Sequence, residues 1–329
     1  MRIHQTPERL RPAAISYPIH HVGPNIEEAF TLYALDHASE IDTPWIYLPI
    51  HWQNLYFRNE RHSKTRDFYP DPEAQDVVNN LDPKETYFTL SQADDGTYEK
   101  LPPNVKLFSA GGTGDYAIPL LTSPLPHKEC KRDILASFAG ISECGGPIDW
   151  PGGRAEHSSW NPDGRGAQVR RAMFKALAGK PSFELRETRS SMGPAYHDGY
   201  VDLMCRSIFA LCPRGYGKTS FRMYEAMQLG AIPVYIFDNA APWLPFSKWI
   251  APETIPDFYD STTFLDWTKF CWLCPASQIH RLEEELKLAP SFAVEFSAMQ
   301  KRVKEVHDAY FNLKVAPKRI AELVERVSR

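Results

Sequence analysis

The 329-residue sequence contains no run of about 18 apolar residues, the length a helix needs to cross a bilayer, so no membrane span is expected. Its first residues, MRIHQTPERLRPAAISYPIHH, have no apolar signal-peptide core, and no Asn-x-Ser/Thr sequon occurs anywhere. These absences predict a cytoplasmic protein. Charge of one sign is also scarce. A formal net charge of -4 argues against a chain built to bind nucleic-acid phosphates and favours small molecules or neutral polymers as partners. Cysteine is sparse: of the six, only Cys271 and Cys274 have the close spacing of a zinc-ligand pair, and no second pair accompanies them. No metal site is expected, and the pair in FCWLCPAS reads as buried structural thiols within a packed aromatic segment. Neither an internal repeat nor a low-complexity tract appears, which excludes a solenoid.

Apolar runs of strand length alternate with helical stretches, the pattern of an α/β protein. Strands are expected at Trp45–Ile50, Thr86–Gln92, Val105–Ala110, Ile134–Gly140, Ser182–Thr188, Ser207–Pro213 and Ile232–Phe237. Several are apolar on both faces, as in a sheet covered by helices on two sides. A helix is expected over Asn25–Ser39, and the last fifty or so residues read as helical with a break near LAPSF. The proline-punctuated stretch Ser123–Asp133 suits a linker and divides the chain into domains 1–127 and 128–329. The glycine-rich stretch Ile141–Gly166 is too long for a buried connection and reads as a lid or binding loop.

The chemistry concentrates in LCPRGYGKTS, Leu211–Ser220. Its last letters resemble a P-loop, but the position that must be the loop's first glycine is Cys212, followed by Pro213, which has no N–H to offer a phosphate. An NTPase or kinase is therefore the alternative reading. What remains is a strand, a glycine-bearing turn and a helix, and the helix N-terminus is a natural seat for an anion. Arg214, Gly215, Gly217, Lys218, Thr219 and Ser220 form the turn, with Thr219 or Ser220 as helix cap. Arg222 and Glu225 follow three residues apart on one helix face, placed for a diphosphate and a ribose. Elsewhere such a pair would be a surface ion pair of little worth. Asp238, after the next strand, either lines a sugar pocket or opens a turn. Tyr235, Trp243 and Trp249 either stack on a ligand or belong to the core.

The stretch SIFALCPRGYGKTSFRMYEAMQLGAIPVYIFDNAAPWLPF, Ser207–Phe246, resembles the signature of the exostosin-like glycosyltransferases, family 47. Weaker landmarks resemble the same family in order at His20–Phe30, Tyr87–Gly96, Asp115–Leu121 and Ala136–Gly140. The resemblance implies a GT-B architecture, two Rossmann-like domains facing each other across a cleft, with the donor in the C-terminal one. It further implies an inverting enzyme that uses a UDP-sugar as co-substrate and a glycan as acceptor. Tyr216 and Lys218 are not part of the family pattern. With basic groups and a helix terminus to receive the diphosphate, a metal cofactor is redundant. The adjacent acids Asp94 and Asp95 are the nearest thing to an Asp-x-Asp metal motif and read better as a turn. Inverting transfer also needs a base to deprotonate the acceptor. Candidates from the N-terminal domain are Glu28, Asp115, His21, Asp94 and Asp95. Glu28 is otherwise a first-turn acid complementing the helix dipole, and Asp115 a turn former. A non-catalytic glycan-binding module on the same fold is the third reading.

Overall fold

The computed structural model describes residues 1–13, 23–58, 70–94, 96–126, 129–140, 165–187, 194–215, 217–238, 242–247, 264–291 and 293–329. The chain divides into two compact units: unit 1 comprises 1–121, 243–265 and 313–329, and unit 2 comprises 122–242 and 266–312. Each is built on a parallel five-stranded sheet, so both α/β units implied by the GT-B resemblance are present. No described helix is long and apolar enough to cross a membrane.

Unit 1 orders its strands β1 (Arg2–Ile3), β2 (Ile46–Tyr47), β3 (Tyr87–Ser91), β4 (Val105–Ser109) and β5 (Tyr116–Ala117) in sequence across the sheet. Every residue of β3 is buried, as a strand covered on both faces requires. Among the described residues of its N-terminal part, the helices α1 (Ile26–His37), α2 (Trp52–Arg58) and α3 (Pro72–Asn79) accompany this sheet. Asp71 caps α3 by accepting from the N–H groups of Glu73 and Ala74, with Pro72 in the first turn, where its missing N–H costs nothing. Phe30, Tyr47, Phe88 and Phe108 pack edge-on and tilted to form an aromatic core between α1 and the sheet.

Unit 2 runs β6 (Ile134–Gly140), α4 (Arg165–Leu177), β7 (Phe183–Glu187), α5 (Pro194–Arg206), β8 (Ser207–Pro213), α6 (Phe221–Gln228), β9 (Ile232–Phe237), β10 (Trp272–Pro275), α7 (Leu282–Leu288) and α8 (Ala293–Val306). Across the sheet the order is β7, β6, β8, β9, β10. The order reverses at one place, between β6 and β8, whose carboxyl ends therefore part and leave a crevice. Gly230 ends α6 at φ +70°, a left-handed backbone that suits glycine.

Two sequence expectations change here. A single division into 1–127 and 128–329 is replaced by units that exchange segments, because a C-terminal helix, α9 (Ala316–Val327), returns to unit 1. Its buried stripe Ala316, Ile320, Leu323 and Val324 has helical spacing. Glu325 accepts from Asp42 N at 2.7 Å, and Arg329 pairs with Asp42 at 2.7 Å. Residues 243–265 also join unit 1, where Trp243 Nε1 donates to Ser109 O at 2.9 Å. The stretch FCWLCPAS is in part a strand, β10, and its thiols are buried as expected, with burial pushing Cys271 and Cys274 up to about 12. The loop expected at Ile141–Gly166 lies outside the described residues except for its last two, which open α4.

Cys130 and Cys205 form a disulfide, 75 residues apart in sequence, that ties the entry of unit 2 to the end of α5. Closing a loop of that length is expected to contribute roughly 4 kcal/mol. Cys205→Ser should lower the unfolding free energy by about 2–5 kcal/mol in denaturant melts, and dithiothreitol should do the same to the parent protein alone. Equal stability of the parent with and without reductant would show that the bridge carries no load.

Candidate functional site

In unit 2 the crevice between β6 and β8 is where the turn of residues 214–220 feeds α6. The turn closes on itself, Gly215 N donating to Thr219 O at 3.1 Å. Tyr235 Oη donates to Lys218 O, anchoring the turn to β9, so Tyr235 is a structural support. Ser220 takes the N-cap position of α6 (φ -149°, ψ 131°) but makes no side-chain capping bond, contrary to expectation. Its hydroxyl is not spent on the first-turn N–H groups.

Arg222 projects from that first turn to the end of β6. Its Nη2 donates to Ala139 O at 2.5 Å, and its guanidinium lies 4.2 Å from the Phe138 ring centroid and 5.6 Å from that of Tyr200. Glu225, one turn deeper and buried, accepts from Tyr200 Oη. Arg222 and Glu225 are thus not a surface pair; both are oriented through Tyr200, whose phenol is raised well above its ordinary range by burial and by the Glu225 charge. Burial likewise pushes the Cys212 thiol far up and keeps it neutral.

Arg214, expected to meet phosphate, is buried and ion-paired with Asp238, likewise largely buried. Each answers the other's charge, and removing one partner of such a pair is strongly destabilising. Arg214 and Asp238 are therefore framework residues that hold the end of β8 to the end of β9, with Arg214 N also donating to Ile236 O at 2.8 Å. Arg170 of α4 was not singled out from sequence. Its Nε donates to Arg214 O at 3.3 Å and its guanidinium stands 5.8 Å from the Phe138 ring, adding a second cation to the crevice. Tyr200 was missed as well, since a tyrosine in a helical run carries no mark of its role. The ASFAG landmark did point to Phe138, Ala139 and Gly140.

The N-terminal candidates are placed in unit 1. Asp115 is exposed and shapes the entry to β5: its Oδ2 accepts from Leu107 N at 2.8 Å and its N–H donates to Leu107 O at 2.8 Å. That engagement gives Asp115 a turn-shaping role. Glu28 is half-buried in the first turn of α1, and Asp94 stands in a turn after β3. His21, Asp95, Tyr216 and Trp249 lie outside the described residues. The neighbour Glu27, unmarked in the sequence, is fully buried. Its Oε1 accepts from Gln92 N at 2.9 Å and Gln53 N at 3.2 Å, while its buried Oε2 has no hydrogen-bond partner among the described residues. Burial raises this carboxyl to about 7, against the lowering effect of its backbone donors.

Topology defines unit 2 as a doubly wound parallel α/β unit, with a helix N-terminus, two arginines and a buried carboxylate at its topological switch point. The chain belongs to the exostosin GT47 family, whose domain matches residues 110–284. Among curated proteins it is 35% identical over 120 residues to a probable glucuronoxylan glucuronosyltransferase of Arabidopsis thaliana, covering 36% of this chain and 21% of that protein. It is 31% identical over 100 residues to a probable beta-1,4-xylosyltransferase of the same plant, covering 28% of this chain and 22% of that protein. The matched segments thus span about a fifth of those relatives' length. A crystal structure of the pneumococcal O-GlcNAc transferase GtfA in complex with UDP and GlcNAc aligns with 90% of this chain and 59% of that one, at 12% identity and a TM-score of 0.36.

The seat of Arg222 and the charge of Glu27 can each be tested. A Cβ on Gly140 would stand 2.9 Å from Arg222 Nη2 and 2.9 Å from Phe138 Cζ, so Gly140→Ala should dislodge Arg222. Its signature is a nucleotide affinity about tenfold weaker with a far-ultraviolet spectrum unchanged; undiminished affinity would mean that the arginine's seat does not matter. For Glu27, the native carboxyl (about 7) sits above the ordinary value of 4.5, so the native state holds the proton more tightly than the unfolded chain. This contribution is full below pH 4.5 and is lost as pH rises through 7, a swing on the order of 3 kcal/mol. Glu27→Gln should flatten that part of the stability profile, and parallel profiles for parent and variant in urea melts from pH 4 to 8 would refute the assignment.

Proposed function

We propose that the chain is an inverting glycosyltransferase that moves a sugar from a UDP-sugar to a glycan acceptor, with unit 2 as the donor-binding unit. The single observation that carries this reading is the placement of Arg222, held at the carboxyl end of β6 directly beside the glycine-bearing turn that starts α6. A departing diphosphate gains negative charge, and prepositioned cations and a helix N-terminus stabilise it without reorganising. Arg222, Arg170 and Lys218 supply the cations, the first-turn N–H groups of α6 supply the dipole, and a metal ion has no task left to perform at the leaving group. Glu225, fixed by Tyr200, is assigned to the ribose hydroxyls. Inversion requires the acceptor hydroxyl to lose its proton as it attacks. Among the described candidates Glu28, in the first turn of α1 and within the His20–Phe30 landmark, is assigned that role. Family membership and the glucuronosyl- and xylosyltransferase names of the relatives support the reaction class.

The test is nucleotide binding followed by turnover. UDP should stabilise the protein in thermal melts with EDTA present, and ATP with magnesium should not. Arg222→Ala should lose about 10²–10³-fold in transfer rate with the fold intact, the usual loss for one stabilising donor. A full rate in that variant would remove the site assignment. Magnesium-dependent ATP hydrolysis abolished by Lys218→Ala would instead favour the NTPase reading.

A further inference from the structure

A cavity of about 920 Å³ lies in unit 2 at the amino edge of its sheet, opposite the carboxyl edge that holds the crevice between β6 and β8. Cys130 and Arg132 line it just before β6, Cys205 just before β8, and Leu229 and Gly230 just before β9. The Cys130–Cys205 disulfide is therefore part of its wall. Its two cysteines are not equally reachable. Cys130 is half-buried, whereas Cys205 is 2% exposed, so a thiolate entering from the cavity meets Cys130 and leaves Cys205 as the departing sulfur. Charges of both signs surround this wall: exposed Lys301 and Lys304 line the cavity together with exposed Glu129 and Asp308. A thiol without charge would leave that lining unanswered. A peptide thiol that carries carboxylates and an ammonium group answers both signs, and cations beside a disulfide also favour the departing thiolate.

The local structure is held independently of the bridge. Asp133 N donates to Arg206 O at 3.1 Å, and Arg206 donates to Asp133 from Nε at 2.9 Å and from Nη2 at 2.8 Å. Arg132 Nη1 donates to Cys205 O at 3.1 Å, and its Nη2 donates to Leu229 O at 2.6 Å. These contacts join the residues flanking one cysteine to those flanking the other, so the two sulfurs stay neighbours once the bond between them opens. Opening is then a local and reversible event, distinct from unfolding. Cys212, Cys271 and Cys274 form the contrast, being buried thiols that burial keeps protonated.

We infer that Cys130 is a thiol–disulfide exchange site for a small peptide thiol bearing carboxylates and an ammonium group, seated with its carboxylates on Lys301 and Lys304 and its ammonium on Glu129 or Asp308. The sulfur of the incoming thiolate bonds to Cys130 Sγ, the Cys130–Cys205 bond breaks, and Cys205 departs as a thiolate that takes a proton from water. A second molecule of the thiol attacks the first at its sulfur and releases Cys130, so the protein disulfide is reduced to two thiols while two peptide thiols are oxidised to their disulfide. The inference is independent of the transferase reading. Reduced glutathione is the probe and 2-mercaptoethanol its uncharged counterpart, each added to the full chain under native conditions, with acid quenching and mass-spectrometric peptide mapping. Glutathione is expected to leave a mixed disulfide on Cys130 and to react, per thiolate, about tenfold faster than 2-mercaptoethanol. Lys301→Gln combined with Lys304→Gln, both at exposed positions, should remove that margin with the melting temperature unchanged. Equal rates for the two thiols, an undiminished margin in the doubly substituted chain, an adduct on Cys205 in place of Cys130, or cleavage only in urea that unfolds the protein would each overturn the inference.

Discussion

Arg222 can lie against Phe138 and Ala139 O only because Gly140 has no side chain to fill that space. The rest of unit 2's carboxyl edge depends on this contact, since it is what couples the end of β6 to the start of α6 at the one place where the strand order reverses. The same device recurs at the other end of the helix. Arg132 donates to Cys205 O at 3.1 Å, to Ser207 O, and to Leu229 O at 2.6 Å, and the space it occupies comes within 3.0 Å of where a Cβ of Gly230 would stand. An arginine and a glycine therefore fix each end of α6. At the C-terminal end the cation sits where the helix carries partial negative charge and unsatisfied carbonyls. At the N-terminal end a cation faces the positive pole, an arrangement unfavourable for the helix alone that becomes favourable once an anion lies between them.

The charges around the crevice include those that hold the protein together. Arg214 and Asp238 neutralise each other in a buried pair, and Tyr200 supplies a hydroxyl proton to Glu225. These contacts are satisfied internally and set positions. Arg222 is held at the end of β6 by a carbonyl dipole and by aromatic faces, which orient its guanidinium.

Much of this architecture was legible in the residues. Ser207–Pro213, Ile232–Phe237 and Ile134–Gly140 are strands at the expected bounds, because a strand buried on both faces leaves a continuous apolar run that turn residues end sharply. The turn between β8 and α6 was legible through its glycines. The strands Arg2–Ile3 and Tyr116–Ala117 were not, since two residues carry no periodicity. Nor could the sequence say which unit the last helix joins, as its apolar stripe fits any complementary surface and the choice is made by contacts with Asp42 and Thr43. Pair interactions were the hardest to foresee: Arg214 reads as a phosphate ligand until Asp238, 24 residues on, is found against it.

The two sheets handle their carboxyl edges in opposite ways. In unit 1 the polar groups there satisfy one another: Gln92 donates to Asn25 at 3.1 Å and accepts from Ile26 N at 3.1 Å, Asn25 donates to Asn54 at 2.5 Å, and Glu27 receives the N–H groups of Gln53 and Gln92. This network fixes the entry of α1 against β3 and α2, while Glu27 Oε2 stays without a hydrogen-bond partner among the described residues. In unit 2 the equivalent edge is supported from behind, by Tyr235 on the turn and by Arg214 with Asp238 beneath it, and Ser220 makes no side-chain capping bond at the start of α6.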